Sequence, residues 1–186
     1  MIAGPSGVGK GTLVRRLRTM DPSLYVSVSV TTRRPRPEEH DGVDYFFIDE
    51  EGFDRLIAED ELLEWAEIFG HRSGTPARPI RDVRREGRDA VLEIDVQGAA
   101  IVRRKVPDPV LILLVPPSLE ELARRLRTRA TEDEAKLARR LARAEWEMAQ
   151  GEWFDHVIVN DELEGASAQV AAIIGASRHD PKDPSA

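Results

Sequence analysis

The most informative stretch of the chain is Gly4-Pro5-Ser6-Gly7-Val8-Gly9-Lys10-Gly11-Thr12. Its glycines let several backbone N–H groups converge on one anion, because no Cβ blocks close approach. The apolar residues that follow, Leu13, Val14 and Leu17, have helical spacing, so the loop leads into a helix N-terminus, where unpaired N–H groups favour negative charge. The sequence therefore predicts a phosphate-binding loop, with Lys10 as a mobile cation for the outer phosphates.

One position of this loop departs from the usual phosphate-loop pattern. Gly4, Gly9 and Lys10 meet the spacing G-x-x-x-x-G-K, but Gly11 stands where Ser or Thr is usual. The missing hydroxyl ordinarily reaches Mg²⁺, so we expect either Thr12 or a water molecule to take its place. A flexible turn without a ligand is the alternative, and the helical pattern behind the loop disfavours it.

Bulk composition limits the classes of function. The chain has 186 residues, enough for one domain with a sizeable core, and a net charge of −7, which argues against a nucleic-acid partner. It has no Cys, which excludes disulfides and thiolate chemistry and fits a reducing compartment. No apolar stretch has the length of a membrane span and no signal-peptide pattern is present. We therefore expect a cytoplasmic protein without a membrane partner.

Three apolar runs, at residues 90–95, 110–115 and 156–160, have the length and composition of buried strands. Their continuous apolar character indicates strands that are covered on both faces, as in a parallel sheet. Helical patterns separate them; one begins with Ser118 and Glu121 as a capping box, and the last is expected to stop at Gly175. This alternation predicts a doubly wound α/β domain.

Two segments interrupt the alternation. Residues 29–80 contain a strand at Tyr45–Ile48 and a helix capped near Asp49, and we interpret them as an inserted lobe. Residues 128–150 are helical but highly charged, which fits a lid or a solvated surface helix. The core then comprises residues 1–28, 81–127 and 151–176, and the tail, 177–186, is expected to be disordered.

Further motifs in the same order resemble those of guanylate kinases over nearly the whole chain, to about residue 175. They are Ser29-Val30-Thr31-Thr32-Arg33-Arg34-Pro35-Arg36, Gly42-Val43-Asp44-Tyr45-Phe46-Phe47, Glu64-Trp65-Ala66-Glu67, Gly74-Thr75, Glu93-Ile94-Asp95-Val96-Gln97-Gly98, Pro116-Pro117-Ser118 and Val157-Ile158-Val159-Asn160-Asp161. The resemblance implies a P-loop NTPase-type doubly wound parallel sheet with an inserted nucleoside-monophosphate-binding lobe and a helical lid. The implied reaction converts ATP and GMP to ADP and GDP, with Mg²⁺.

The resemblance also implies which residues bind GMP. Arg33, Arg36 and Tyr45 match the positions that hold its phosphate, a task that suits the planar, bidentate guanidinium group. The positions that match the guanine-reading set are Ser29, Glu64, Thr75 and Asp95. Carboxylates suit that task, because guanine presents N1–H and N2–H₂ on one edge and a purine without them would leave buried carboxylates unpaired.

On the ATP side, the resemblance assigns the phosphates to loop residues 4–12, and the adenine side and lid to Arg125, Arg129, Arg140 and Asn160. Glu93 stands at a strand end where many phosphate-loop enzymes place an acid near Mg²⁺, so Glu93, acting through water, and Thr12 are the candidate metal residues. The candidate catalytic residues are Lys10, Arg33, Arg129 and Arg140.

The sequence departs from the family pattern at two further places. Arg72-Ser73 precedes Gly74-Thr75 where two tyrosines are usual, so either Ser73 donates a shorter hydrogen bond to the GMP phosphate or Arg72 takes over. The lid reads Thr128-Arg129-Ala130 instead of G-R-G, which restricts hinge conformations. These changes are compatible with a slower enzyme or a shifted specificity.

Three hypotheses follow. The favoured one is an active guanylate kinase, a monomer or homodimer whose partners are the small molecules GMP and ATP. The second is a ribose bisphosphokinase-like enzyme of the same fold, against which the guanine-reading set argues. The third is a non-catalytic guanylate-kinase-like binding module, against which the retained Lys10 and lid arginines argue.

Overall fold

The computed structural model describes residues 1–129 and 134–179. The strands, numbered in chain order, are β1 (Ile2–Ala3), β2 (Tyr25–Val26), β3 (Ser29–Thr31), β4 (Tyr45–Phe47), β5 (Leu62–Ile68), β6 (His71–Pro76), β7 (Ala90–Val91), β8 (Ile112–Val115) and β9 (His156–Val159). The helices are α1 (Lys10–Met20), α2 (Glu50–Ala58), α3 (Ala77–Arg85), α4 (Val96–Lys105), α5 (Leu119–Arg129), α6 (Glu134–Met148) and α7 (Leu163–His179). None of the described helices has the length and apolar character that a bilayer crossing requires.

A parallel sheet in the order β2-β7-β1-β8-β9 forms the centre of the molecule. Strand β8 pairs with β1 and β9, and β2 pairs with β7, all in parallel register. Ile2 joins the two halves, because its N–H donates to Leu92 O at 2.9 Å and its carbonyl accepts from Ile94 N–H at 3.2 Å. The predicted α/β fold is confirmed. Since β1 is central, the loop after it lies at the edge where the carboxyl ends of neighbouring strands meet.

Helices cover both faces of this sheet. Leu13, Val14 and Leu17 of α1 pack with α7 on one face, and α4 packs on the other. Strand β8 is buried along its whole length, as its apolar run predicts. Strand β9 differs: Val157 and Val159 are half exposed, because β9 is the edge strand and its outer face has less cover.

A second sheet, in the order β4-β3-β6-β5, lies within residues 29–80. Strand β6 runs antiparallel to β3 and β5, whereas β3 and β4 are parallel. Helix α2 covers this sheet by burying Phe53 against Val30 and Leu62. The predicted cap is present, since Asp49 Oδ1 accepts from Gly52 N–H at 2.8 Å.

Helices α5 and α6 pack together on Leu122, Leu126, Leu137 and Ala144. Helix α6 therefore has an apolar face, which its charged sequence does not make obvious. Ser118 Oγ accepts from Glu121 N–H at 3.1 Å, which confirms the helix start.

Helix α7 continues to His179, so the expected stop at Gly175 is wrong. A single helical Gly costs only about 1 kcal/mol relative to Ala and does not by itself end a helix. Residues 177–179 of the predicted tail belong to α7, whereas residues 180–186 lie outside the described residues, as do residues 130–133 of the predicted lid.

Candidate active site

A cleft with a volume of about 270 Å³ separates the carboxyl edge of the central sheet from the second sheet and α6. The structure brings together most of the residues predicted from sequence along its walls, namely Gly4, Ser6, Gly7, Gly9, Lys10, Gly11, Ser29, Arg33, Arg36, Tyr45, Glu64, Ser73, Glu93, Asp95 and Arg140. Arginines and carboxylates therefore face the phosphate-binding loop across one cavity.

The loop is built from backbone conformations that require glycine. Gly9 has φ 103°, and a Cβ there would also lie 2.6 Å from Asn160 Nδ2. A Cβ on Gly4, at φ 146°, would collide with the Leu114 carbonyl group. Lys10 Nζ folds back onto the loop and donates to Gly4 O at 2.6 Å. The loop can therefore present N–H groups to an anion, with the ammonium group beside them.

Asn160 and Arg125 support this loop from outside the cleft. Asn160 Nδ2 donates to Val8 O at 2.7 Å, and Arg125 Nη1 donates to the same carbonyl at 3.4 Å. Glu121 holds Arg125 in turn, at 2.7 Å from Nε. Neither Asn160 nor Arg125 lines the cleft, so their adenine-side role stays a prediction.

Gly11 and Glu93 form the corner where a metal ion is expected. A Cβ on Gly11 would lie 3.3 Å from Glu93 Oε2, and half-buried Thr12 follows in the first turn of α1. Among residues 1–129 and 134–179, no group of three or more His, Asp or Glu could hold a metal. One carboxylate plus phosphate and water oxygens is the coordination that Mg²⁺ prefers, so this corner fits that ion.

The arginines expected to bind phosphate are held by a residue that the sequence did not single out. Arg33 makes a bidentate pair with Glu39, with both N···O distances 2.9 Å, and Arg36 Nη1 lies 3.4 Å from Glu39 Oε1. Burial raises the pKa of Glu39, but hydrogen bonds from Arg33 and from the Arg36 N–H outweigh it and lower the pKa overall. Glu39 therefore stays ionised and fixes both guanidinium groups. The spacing of three residues between Arg36 and Glu39 could have indicated this contact from the sequence.

Tyr45 lines the same wall of the cleft. The Arg33 guanidinium lies 5.3 Å from the centre of its ring, within cation–π range. Burial, with Glu93 nearby, raises the pKa of Tyr45 to about 12, so its hydroxyl remains a hydrogen-bond donor.

Glu64 and Thr75 form a buried pair on the antiparallel strands β5 and β6. Thr75 Oγ1 donates to Glu64 Oε1 at 2.6 Å, and Thr75 is completely buried, so it lies behind Glu64 and not on the cleft wall. Burial is the main reason that the pKa of Glu64 rises to about 7, and Asp95 adds to the rise. A Cβ on Gly98 would collide with the Glu64 carboxylate, 3.0 Å from its Cδ, so any larger residue there would force the carboxylate to shift.

Asp95 is the N-cap of α4. Its Oδ1 accepts from Gly98 N–H at 2.7 Å, and its Oδ2 accepts from Arg143 Nη2 at 2.9 Å. Arg143 and the buried Glu147 also line the cleft. Neither residue could be assigned a role from the sequence, because the contact of Arg143 with Asp95 depends on how α6 crosses the cleft.

Arg72 and Ser73 are neighbours in strand β6, so their side chains point to opposite faces of the sheet. The Arg72 guanidinium lies 2.6 Å from Asp54 Oδ1 and 4.7 Å from the Phe53 ring centre, so it faces α2 and does not line the cleft. Ser73 points the other way, lines the cleft and donates to Thr31 Oγ1 at 3.0 Å. Of the two alternatives for the missing tyrosine, the geometry favours Ser73.

Of the two predicted lid arginines, Arg129 and Arg140, the structure describes the side chain of Arg140 only. Arg140 lines the cleft, with its guanidinium 5.5 Å from the centre of the Phe69 ring at the β5–β6 turn. Arg129 ends α5, and its side chain lies outside the described part of the chain.

Comparison with known proteins gives a uniform result. The family model described as guanylate kinase matches residues 1–177. The guanylate kinase of Carboxydothermus hydrogenoformans is 42% identical over 182 residues, which are 98% of this chain and 89% of that protein. That of Thermobifida fusca is 49% identical over 176 residues, covering 95% and 90%. The crystal structure of guanylate kinase from Anaplasma phagocytophilum superposes with a TM-score of 0.80 at 34% identity, over 96% of this chain and 85% of that one.

Proposed function

Because the chain belongs to the guanylate kinase family, we propose that its cleft aligns ATP and GMP end to end for direct phosphoryl transfer. The protein is a nucleoside monophosphate kinase that converts ATP and GMP to ADP and GDP. The single observation that carries the residue assignments is that Lys10 and its loop face Arg33, Arg36 and Tyr45 across one cavity.

ATP binds through its phosphates to the loop of residues 4–12. The N–H groups after Gly7 and at the start of α1 take the inner phosphates, and Lys10 Nζ moves from Gly4 O to the outer ones. Asn160 and Arg125 keep the Val8 carbonyl turned away from the ligand, so that the loop does not have to reorganise.

GMP binds by its phosphate to Arg33, Arg36 and the Tyr45 hydroxyl, with Ser73 as a further donor. Glu39 holds both arginines in place before the ligand arrives, which reduces the entropy lost on binding. The attacking atom is a phosphate oxygen that is already anionic, so the reaction requires no general base. The protein contributes alignment and charge neutralisation instead.

The guanine base is recognised by Glu64 and Asp95, with Ser29 beside them. Their carboxylates accept from N1–H and N2–H₂, and Thr75 orients Glu64 from behind. AMP lacks both donors, so the buried Glu64 and the half-buried Asp95 would each lose a hydrogen bond to the base, which is a strong basis for discrimination.

Arg129 and Arg140 neutralise the charge that spreads over the transferred group, on a lid that comprises residues 128–150 and closes against the lobe of residues 29–80. Mg²⁺, held by Thr12 and through water by Glu93, would supply further neutralisation of the phosphates. We place the enzyme in the cytoplasm, as a monomer or homodimer. The absence of Cys from the chain agrees with a reducing compartment.

The test is ADP release measured against a panel of GMP, AMP and ribose bisphosphate. We expect turnover of ATP only when GMP is the acceptor. Comparable turnover with ribose bisphosphate would contradict the assignment of the base site, and absence of ATP binding in isothermal titration calorimetry would indicate a binding module.

A further inference from the structure

We infer that Arg143 is a positioning residue that holds Asp95 in the orientation needed to bind guanine. The inference rests on the proposed role of Asp95 in base recognition. It adds a residue of α6 to the base site, and it separates the task of Arg143 from that of its neighbour Arg140, which we assign to the transferred phosphate.

The contacts of Arg143 fix Asp95 from two directions. Arg143 Nη2 lies 2.9 Å from Asp95 Oδ2, and the other carboxylate oxygen accepts from Gly98 N–H at 2.7 Å. With both oxygens held, the carboxylate cannot rotate, and its remaining lone pairs are available to a ligand in the cleft. Three donors to one carboxylate, two from protein and one from a ligand, are within its acceptor capacity.

Arg143 is itself held on its other sides. Its Nε donates to Glu147 Oε1 at 2.9 Å, and its guanidinium lies 5.9 Å from the centre of the Phe69 ring. The side chain is only 22% exposed, and that of Glu147 only 4%. Arg143 therefore joins α6, the N-terminus of α4 and the β5–β6 turn at one point of the cleft, and its own position is well determined.

The charge balance of the base site gives Arg143 a second effect. Glu64, Asp95 and Glu147 place three carboxyl groups around the site, and Arg143 makes an ion pair with two of them. Burial raises the pKa of both Glu64 and Glu147, and the charge of Asp95 raises both further. Lys105 opposes this effect at Glu64 and Lys10 opposes it at Glu147. The hydrogen bond and the charge of Arg143 also oppose the rise at Glu147, so loss of the guanidinium would make protonation of Glu147 easier.

The experiment compares Arg143→Ala, Arg143→Lys and Arg139→Ala by steady-state kinetics with GMP and ATP varied separately. We expect Arg143→Ala to raise KM for GMP about tenfold, with kcat and KM for ATP within about twofold, because a charge-assisted contact to the base site is lost and the transfer site is untouched. Arg143→Lys should recover most of the affinity. The matched control, Arg139, is exposed on the same helix, and its replacement should change neither constant.

Asp95→Asn distinguishes a failure of the proposed base site from a failure of the inference about Arg143. If Asp95→Asn leaves KM for GMP unchanged, the proposed base site is wrong. If Asp95→Asn raises KM for GMP but Arg143→Ala does not, only the inference about Arg143 fails. A fall in kcat without a change of KM in Arg143→Ala would also overturn it, because that result assigns Arg143 to phosphoryl transfer. Should Arg143→Ala fold poorly by circular dichroism, Arg143→Gln, which keeps the side-chain length without the charge, provides the same comparison.

Discussion

The two walls of the cleft present polar groups to the proposed ligands in different ways. The loop of residues 4–12 does so mainly with main-chain N–H groups, whose positions are set by glycine conformations and by Lys10. The opposite wall uses side chains, and each of these depends on another: Arg33 and Arg36 on Glu39, Glu64 on Thr75, and Asp95 on Gly98 and Arg143.

This difference has a consequence for how substitutions act. A site built from main chain depends on the backbone conformation of the loop, and it is expected to lose its function when its one mobile cation is removed. A site built from mutually supporting side chains can be weakened from a position that never touches the ligand. The variants below test that contrast.

The largest effect is expected from Lys10→Ala. Removing the only lysine of the loop leaves the outer phosphates without their cation, and kcat should fall roughly 1000-fold, as for loss of a principal transition-state donor. The measurement is ADP release at saturating GMP and ATP. Arg18→Ala, exposed at the end of the same helix α1, is the control and should keep full activity. Near-normal turnover in Lys10→Ala would refute the loop mechanism.

Gly98→Ala should raise KM for GMP by about tenfold or more, since even a methyl group collides with the Glu64 carboxylate and displaces it from the base site. The chain offers a matched control in Gly165→Ala. Gly165 also lies in a helix, but a Cβ there meets nothing within 4 Å. That variant should keep its kinetics and gain about 0.5–1 kcal/mol of stability. Equal KM values for the two variants would show that the close approach of Gly98 to Glu64 has no role in binding.

The pH dependence of GMP binding should report on Glu64. Its pKa of about 7 means that the carboxyl is mostly protonated at pH 6 and mostly ionised at pH 8, and only the ionised form offers all its oxygens to guanine. The affinity for GMP should therefore rise through pH 7 by roughly fivefold. The phosphate of GMP itself ionises near pH 6, a value typical of phosphate monoesters, so Glu64→Gln is the reference. Parallel pH profiles for the two proteins would exclude a contribution from Glu64.

The smallest change is expected from Gly11→Ser, which restores the usual phosphate-loop hydroxyl beside Glu93. We expect the Mg²⁺ concentration for half-maximal activity to fall about threefold, because a further oxygen ligand becomes available. Gly11→Ala adds the same Cβ, 3.3 Å from Glu93 Oε2, without the hydroxyl and is the control. An unchanged Mg²⁺ titration, or the same shift in both variants, would reject the idea.

The same contrast explains what the sequence could predict. The loop, the helix that follows it and the parallel sheet depend on local spacing and on apolar runs, and these predictions are confirmed. Local rules failed at two places: α7 passes through Gly175, because one helical glycine does not end a helix, and β9 is half exposed because it is an edge strand. The short strand before the loop, β1, is too short to show a strand pattern of its own, and its pairing with β8 defines it.

Within the candidate site, individual motif residues were predictable but their supports were not. Glu39 and Glu147 have local spacings to their arginines, three residues from Arg36 and four from Arg143, but neither spacing shows that the pair lies beside the cleft. The contact of Arg143 with Asp95 is tertiary and depends on how α6 crosses the cleft. The choice between Arg72 and Ser73 as the replacement for the missing tyrosine required the register of strand β6, because a one-residue shift exchanges the two faces of a strand.

The hydrogen bond from Asn160 to the Val8 carbonyl links the end of the outermost strand to the nucleotide loop. Protein engineers could therefore change the affinity for the nucleotide by substitutions outside the loop. Substitutions that shift the end of β9 by a fraction of an ångström would move the Val8 carbonyl and change the conformation of the loop, although the loop keeps its own sequence. Such variants would form a graded series, in contrast to the all-or-none result of altering the lysine.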